Sequence, residues 1–289
     1  MSGPRYDVSQ QQIDQYREAG AAVLRGILDP HMIAEAERVF QWSIDNPSSA
    51  AQRYYESSGT VFHQDLFNTL SWGEYRHLFT DSHLPDVVSQ LWNSADVWFF
   101  FEQIFLKSGG ETRRTPWHQD TSYFPVDGPH LAVYWICLEP VSQENSLEFV
   151  RGSHVKTIYN GSAFSEADDT APLYPEGSLP RLPDIETERH RWDVISWALE
   201  PGDAVIFHPS TLHGGAPTHP GEKRRTISLR YFGEDARFVE RPAVAKQSEV
   251  GFNREASNSR NIEDFMVGLK PGDPFRNPEF VQVRPIAAS

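Results

Sequence analysis

The 289-residue chain carries a formal net charge of −14, with 39% hydrophobic and 23% charged residues, an ordinary composition for a globular protein. The acidic balance weighs against nucleic-acid binding, because the densest basic run, residues 223–225, is too short to form a basic stripe. No apolar run approaches the ~20 residues of a membrane-spanning helix, and residues 1–14 contain no apolar signal segment. The single cysteine, Cys137, excludes an internal disulfide and thiolate-rich metal sites. We therefore expect a cytoplasmic protein whose partner is a small molecule.

The N-terminal part of the chain is predicted to be helical around one short strand. Ser9 is a suitable N-cap for a helix that Gly20 ends, and Ala21–Leu24 follows as a strand. Asp29 precedes a proline at the first position of a second helix, in which the apolar residues of 32–44 recur near helical spacing.

One more helix is predicted at Leu84–Trp92, and strands dominate from residue 97 onwards. Residues 97–107 are aromatic and β-branched, and residues 131–138 form an almost wholly apolar run typical of a strand buried on both faces. Shorter strands are predicted at 115–122, 146–150, 195–199, 204–208 and 225–232. Helices followed by about eight short strands predict a mainly β fold with flanking helices (α+β), the double-stranded β-helix or jelly roll, in a single domain of residues 1–289.

Two long segments are predicted to lie outside the strands. Residues 156–191 are rich in Pro, Gly, Ser, Asp and Glu, and loops of this length in compact domains are often functional, so we predict a lid loop. Residues 236–289 are predicted to be a C-terminal extension with a helical piece near 261–269. We expect this extension to pack on the body or against a second copy in a homo-oligomer.

Two His-x-Asp pairs occur, His118/Asp120 and His63/Asp65, although chance placement of the histidines and aspartates predicts fewer than one. Side chains two apart in a strand point the same way, so each pair could hold two facial positions on a non-haem Fe(II), with a second histidine as third ligand. The His118 pair lies within the predicted strands. The His63 pair lacks a following strand pattern and is predicted to begin a helix, so the His118 pair is favoured.

Two histidines compete for the remaining metal position. His213 is followed by two glycines, which let the backbone pass close to a ligand, and it is the favoured candidate. His208 precedes a proline at the end of a predicted strand, which favours a structural role. Eleven residues after His213, Arg224 shares a strand face with Thr226 and Ser228, an arrangement that suits a bidentate clamp for a carboxylate.

An ordered set of short motifs runs through the chain: Trp117-His118-Gln119-Asp120, Tyr123-Phe124-Pro125, residues 147–150 with Gly152-Ser153-His154, Pro201-Gly202-Asp203, and His213 with Arg224. Together they resemble the phytanoyl-CoA dioxygenase family of Fe(II)/2-oxoglutarate-dependent oxygenases over residues 13–232. The resemblance implies iron bound by His118, Asp120 and His213. It also implies 2-oxoglutarate chelating the iron, with its far carboxylate on Arg224.

The resemblance extends to neighbouring positions. Lys107 and Trp135 match cosubstrate-contacting positions of the family, Gln103 shares the Lys107 face of its strand, and Thr226 shares the Arg224 face. Three aromatic residues flank the metal pair and are candidates for a substrate wall, although ordinary core roles are equally open: Trp117, Tyr123 and Phe124.

The resulting hypothesis is an enzyme that oxidises a C–H bond of a small organic metabolite with O2 and 2-oxoglutarate, releasing succinate and CO2. Hydroxylation is the default outcome, and desaturation, cyclisation and endoperoxidation share the same early steps. Two rivals remain open. A cupin-like metal enzyme would use His118, Asp120 and His213 without needing Arg224, and a non-catalytic binding module would keep the fold alone. A zinc hydrolase fits less well, because no residue is nominated as a general base.

Overall fold

Local capping signals set the helices near the N-terminus. Ser9 and Gln12 form a reciprocal capping box at the start of the first helix, and Gly20 ends it in the left-handed conformation. Asp29 caps the second helix by accepting a hydrogen bond from the Met32 N–H. The helices are α1 (Gln10–Ala19), α2 (Pro30–Asp45), α3 (Trp72–Arg76) and α4 (Leu84–Trp92). The predictions for α1, α2 and α4 are confirmed, and α3 was not predicted.

The computed structural model describes residues 6–48, 51–54, 60–110, 112–165, 167–243 and 262–285. Its strands are β1 (Ala21–Leu24), β2 (Gln52–Tyr54), β3 (Val61–Leu66), β4 (Val97–Ser108), β5 (Thr115–His118), β6 (Val126–Asp127), β7 (Leu131–Cys137), β8 (Leu147–Val150), β9 (Val194–Ser196), β10 (Ala204–Phe207), β11 (His213–Gly215), β12 (Lys223–Gly233), β13 (Arg237–Phe238) and β14 (Gln282–Arg284). The large sheet has the order β1-β10-β7-β12-β4-β3-β2, with β14 also paired to β4. The small sheet has the order β5-β11-β8-β9.

Alternation along the large sheet divides the core between its two faces. On β7, Tyr134 and Ile136 face the layer formed by the helices, where they join apolar residues of α2 and α4. Val133 and Trp135 face the other way and share a cluster with Phe149 of the small sheet. All seven residues of β7 are buried, as predicted for a strand covered on both faces. Two antiparallel sheets that enclose a common core confirm the jelly-roll prediction.

Residues 61–66 correct one prediction of secondary structure. The His63/Asp65 pair was predicted to begin a helix, but it lies in β3, which pairs antiparallel with β4 from Val61 to Leu66. Cross-strand pairing with the long strand β4 outweighs the weak local signal, as tertiary context often does for a short segment.

The two long segments have different roles in the fold. Between residues 156 and 191 the described residues contain no α-helix or strand, only an isolated bridge between Ser162 and Pro172 and a 3₁₀ turn at Arg189–Arg191. The C-terminal helical piece is a 3₁₀ turn, Ile262–Met266, and Asn261 lies outside the described residues. Residues 262–285 pack on the body, since aromatic side chains of this segment join one cluster with Phe100 and Phe232. No helix in the described part of the chain is long and apolar enough to cross a membrane.

Candidate functional site

Three predicted metal ligands converge where the small sheet begins. β5 and β11 pair antiparallel with His118 directly opposite His213, and Asp120 follows two residues after His118 in a short 3₁₀ turn. Asp120 Oδ1 lies 3.5 Å from His118 Nε2 and 3.7 Å from His213 Nε2. In the part of the chain that the structure describes, this is the group whose possible ligand atoms all lie within 4.8 Å of one another.

Backbone carbonyls orient both imidazole rings. His118 Nδ1 lies 2.8 Å from the Pro116 carbonyl oxygen, and His213 Nδ1 lies 2.8 Å from the Thr211 carbonyl oxygen. A carbonyl only accepts hydrogen bonds, so each Nδ1 carries a proton, and in the neutral ring the lone pair is then on Nε2. Both lone pairs belong to the nitrogens nearest Asp120 Oδ1. The rings are therefore held as metal ligands usually are, with the second nitrogen bonded to an acceptor.

The charge states also suit metal binding. Burial, with a smaller effect from His118, lowers the pKa of His213 to about 3, so its imidazole is neutral near neutral pH. Burial alone would raise the pKa of the Asp120 carboxyl. The Arg230 guanidinium and the two histidines more than offset that effect, and this pKa lies well below its ordinary range. Two neutral imidazoles and one carboxylate are the ligand set of mononuclear Fe(II) sites.

Arg230 was not among the predicted site residues. Its Nη2 lies 2.9 Å from Asp120 Oδ2 and 2.8 Å from Gln103 Oε1, and its side chain is buried. A signal was present in the sequence: Arg230 has the same strand parity as Arg224, Thr226 and Ser228, so it continues the face on which Arg224 was placed.

The other end of β12 provides a second buried cation. Arg224 donates to the carbonyl oxygens of Asn145, Pro217 and Ala216, at 2.8 Å for Asn145 and 2.9 Å for Pro217. Lys107, directly opposite Arg224 on β4, donates to the same Ala216 carbonyl oxygen at 3.0 Å. Ala216 adopts φ 55°, a conformation uncommon for a residue with a side chain, and its carbonyl faces both cations. Burial and the neighbouring Arg224 lower the pKa of Lys107.

One cavity of about 570 Å³ connects the metal ligands with Arg224 and Lys107. The other predicted cosubstrate residues also line it: Gln103, Trp135 and Thr226. Their placement follows from pairing, because Gln103 and Trp135 both lie opposite Ser228 in the sheet and side chains directly opposite share a face. The Trp135 ring lies 6.0 Å from the Arg224 guanidinium carbon.

The three predicted substrate contacts divide in two. Tyr123 and Phe124 line the cavity, but Trp117 does not. Trp117 precedes His118 in β5 and faces the opposite side, where it packs with Val150 and Leu212. The prediction for Trp117 is therefore not supported, since strand alternation turns it away from the metal ligands.

A residue from the long loop packs against His118, one of the three candidate metal ligands. Phe164 has φ 51°, and its ring lies 5.3 Å from the His118 ring and 5.9 Å from the Tyr123 ring. The loop is tied down near the cavity, because Arg114 forms ion pairs with Glu186 and with Glu148 of β8. The lid predicted for residues 156–191 thus has its described residues 163–165 and 167 in the cavity wall.

The rival candidates have structural roles. Both ring nitrogens of His208 are engaged: Nε2 lies 3.0 Å from the Gly128 carbonyl oxygen, and Nδ1 accepts from the Ser210 N–H. Arg225 faces away from the cavity, as strand alternation predicted, and pairs with Glu139 and Glu37. In the His63/Asp65 pair, the Asp65 carboxylate accepts hydrogen bonds from Ser48 and from the Leu66 N–H.

The fold and the site define a jelly-roll protein in which two histidines and one carboxylate could hold a metal ion on one face. The family model for phytanoyl-CoA dioxygenase (PhyH) matches residues 16–226. The chain belongs to the PhyH family, which confirms the resemblance drawn from its motifs.

Known proteins resemble this chain in sequence and in structure. Human peroxisomal phytanoyl-CoA dioxygenase is 26% identical over 214 residues, a match that covers 67% of this chain and 59% of that protein's length. The epimerase SnoN, solved with Fe3+, alpha ketoglutarate and nogalamycin RO, superposes with a TM-score of 0.67 at 20% identity, over 95% of this chain and 98% of its own. The carbocyclase SnoK from nogalamycin biosynthesis superposes with a TM-score of 0.67 at 18% identity, over 97% of this chain and 100% of its own.

Proposed function

We propose that the protein is an Fe(II)- and 2-oxoglutarate-dependent oxygenase that hydroxylates a C–H bond of a small organic metabolite and releases succinate and CO2. One observation carries this proposal. The same cavity is lined by the three candidate metal ligands and, at its far end, by the buried Arg224, whose hydrogen-bond partners among the described residues are all backbone carbonyl oxygens. Membership of the PhyH family supports the reaction class.

His118, Asp120 and His213 would bind the iron through Nε2, Oδ1 and Nε2. These atoms already face one another, so neither imidazole would need to rotate to bind the ion. The Nδ1 hydrogen bonds hold both rings in this orientation. Three protein ligands leave the remaining positions of an octahedral ion for small molecules. Bound iron and 2-oxoglutarate would supply the oxidising chemistry, and the chain's own residues supply position and exclusion of water.

Arg224 would bind the far carboxylate of 2-oxoglutarate. A buried guanidinium without an anion is expensive, and carbonyl dipoles offset only part of that cost. A carboxylate arriving beside Arg224 would therefore gain a charge-assisted, planar interaction. Lys107 stands next to Arg224 as a further donor, and Thr226 and Trp135 would complete the walls of this end.

The substrate would occupy the remaining space near Phe164. A cavity of about 570 Å³ lies within the ~300–1,000 Å³ typical of small-molecule sites. Its wall includes six aromatic side chains besides Trp135 and the histidines, which suit a largely apolar substrate: Phe62, Phe105, Tyr123, Phe124, Phe164 and Phe207. The loop of residues 156–191 would act as the lid that excludes water during turnover. The resemblance to SnoN and SnoK supports a natural-product-like substrate and equally permits epimerisation or ring formation.

A cupin-like metal enzyme that does not use 2-oxoglutarate is the second candidate. It accounts for His118, Asp120 and His213 equally well. It gives no reason for burying Arg224 beside Lys107 in the wall of the same cavity.

The deciding experiment is anaerobic difference absorbance with Fe(II) and 2-oxoglutarate. We expect a weak visible charge-transfer band in the wild type, no band in His118→Ala, and an unchanged band in the control His63→Ala, which alters the other His-x-Asp pair. Wild-type protein that binds iron but gives no band would discard 2-oxoglutarate and favour the second candidate. If the wild type does give the band, succinate formation from 2-oxoglutarate under air separates an enzyme from a binding module.

A further inference from the structure

Arg230 occupies an unusual environment for a cation. Its guanidinium carbon lies 4.7 Å from the Phe101 ring centre and 5.7 Å from the Phe124 ring centre. Its Nη2 donates to Asp120 and Gln103, while Nε and Nη1 are buried without a hydrogen-bond partner among the described residues. The side chain is 8% exposed. The two aromatic faces offset part of the desolvation cost, because cations are attracted to ring faces.

Asp120 is the one carboxylate paired with Arg230 in the described part of the chain. Burying a guanidinium with two unbonded nitrogens is costly unless its counter-ion stays ionised and close. The pair also divides the work of the carboxylate. Oδ2 is held by Arg230, and Oδ1 is the oxygen turned towards both histidine Nε2 atoms.

Gln103 depends on the same anchor. Arginine only donates hydrogen bonds, so the Gln103 atom facing Arg230 must be the amide oxygen. Within the described residues the Gln103 amide nitrogen has no partner, and Gln103 lines the cavity. Arg230 therefore fixes which end of this amide is presented to a bound molecule.

We propose that Arg230 is a positioning residue of the metal centre, holding Oδ2 of Asp120 so that Oδ1 alone binds the ion, and holding Gln103 with its amide N–H groups towards the cavity. The inference rests on the proposed metal-binding role of Asp120. It goes beyond that role by assigning a device that sets the denticity of the carboxylate and the polarity of the adjacent wall.

The test compares Arg230→Met and Arg230→Lys with the control Arg225→Met. Arg225 lies on the same strand, with its side chain on the opposite face. Mn(II) dissociation constants are measured by electron paramagnetic resonance, and the ligand geometry is read from the visible spectrum of the Co(II) form. For Arg230→Met we expect about 10- to 100-fold weaker Mn(II) binding, the range typical for partners of a metal ligand, and an altered Co(II) spectrum. Arg230→Lys should recover part of both, and Arg225→Met should match the wild type.

Two outcomes are decisive in opposite ways. If Arg230→Met binds Mn(II) like the wild type and gives the same Co(II) spectrum, the positioning role is overturned while the metal site stands. If the wild type itself binds neither Mn(II) nor Co(II), the proposed function fails first. Gln103→Leu should weaken Mn(II) binding less than Arg230→Met, because it leaves the Asp120 contact in place.

A stability measurement covers the case in which Arg230→Met does not fold. In metal-free Asp120→Ala, the buried Arg230 guanidinium has lost its carboxylate partner. The double variant Asp120→Ala/Arg230→Met should therefore melt at a higher temperature than Asp120→Ala alone. A double variant that melts at the same or a lower temperature would show that Asp120 is not the counter-ion on which Arg230 depends.

Discussion

The chain contains the tripeptide His-Gln-Asp twice, at residues 63–65 and 118–120, and the fold gives the two copies opposite surroundings. Both pairs are buried. The first pair lies within β3, and the second begins at His118, the last residue of β5. In the second copy, the partner strand places His213 directly opposite His118. In the first copy, the residues opposite His63 and Asp65 on β4 are Leu106 and Ile104.

The two carboxylates differ in electrostatics as well. Burial raises the pKa of Asp65, which accepts its hydrogen bonds from neutral donors, the Ser48 hydroxyl and backbone N–H groups. Asp120 is also buried, but Arg230 and the two histidines hold its pKa well below the ordinary range. Spacing alone therefore supplies two ligands in each copy. The register between strands and a nearby cation distinguish the second copy, which has His213 and Arg230 beside it, from the first.

The sharpest test of this contrast replaces one histidine at each site with alanine. His213→Ala should weaken Mn(II) binding by more than the ~100-fold that loss of an outer partner can cost, because it removes a ligand itself. His63→Ala should leave Mn(II) binding unchanged, since the described residues around it form no group of possible metal ligands, and should lower the free energy of unfolding by about 1–3 kcal/mol. Metal titration by electron paramagnetic resonance checks the first and urea unfolding the second. Equal loss of Mn(II) binding in both variants would break the comparison.

A third buried carboxylate extends the contrast to pH. Burial raises the pKa of Glu102 to about 7, and its hydrogen-bond donors, the Asn68 N–H and the Trp72 Nε1–H, are neutral. A raised pKa means that the fold favours the protonated carboxyl. The contribution of Glu102 to the free energy of unfolding is therefore fully present below its ordinary pKa of 4.5. That contribution is lost as the pH rises towards 7.

Relative to Glu102→Gln, the wild type should therefore lose up to about 3 kcal/mol of unfolding free energy between those pH values. Urea unfolding of both proteins at pH 5 and pH 8 measures the difference. A difference between the two proteins that does not change with pH would contradict the raised pKa.

Arg224 and Arg225 provide a matched pair on the two faces of β12. Arg224→Gln should weaken 2-oxoglutarate binding roughly 10- to 150-fold, because hydrogen bonds to charged groups are worth about 1.5–3 kcal/mol. Mn(II) binding should remain unchanged, since the metal ligands lie at the other end of the cavity. Arg225→Gln breaks ion pairs on the opposite face and should leave both affinities intact. Calorimetry with the Mn(II)-loaded protein would decide, and an unaffected 2-oxoglutarate affinity in Arg224→Gln would reject the assignment.

The smallest expected effect concerns the loop that covers the site. Phe164→Ala should leave Mn(II) and 2-oxoglutarate affinities unchanged, because the ring packs on His118 without bonding to it. It should increase the water-proton relaxation caused by bound Mn(II), since water reaches the ion more easily. Tyr159→Ala changes an aromatic residue of the same loop that packs in a separate cluster and serves as the control. Identical relaxation in all three proteins would mean that the loop does not shield the ion.

Strand alternation explains both the success and the failures of prediction from sequence. It correctly joined Arg224 with Thr226 on the cavity face and turned Arg225 outward. The same rule, carried two positions beyond Ser228, would have found Arg230. Applied to β5, it would have excluded Trp117, the immediate neighbour of His118.

Other features depend on contacts that no local pattern encodes. Phe164 lies in a loop without periodicity and reaches the site through a left-handed backbone conformation. The strand β3 was predicted as a helix start because its identity depends on pairing with β4. The structure places the favoured pair, His118 and Asp120, beside His213, and the register between β5 and β11 that brings them together has no local sequence signal.

β12 carries Arg224, Thr226, Ser228 and Arg230 along one face that lines the cavity. This single strand therefore sets the distance between the two ends of the cavity. Inserting or deleting one residue within it would turn one of the two arginines to the opposite side. The Phe164 ring comes instead from a loop, where changes of length and sequence leave the spacing set by β12 unchanged. Under the proposed function, changes in that loop alter the substrate end of the cavity and leave the spacing between the candidate metal ligands and Arg224 unchanged.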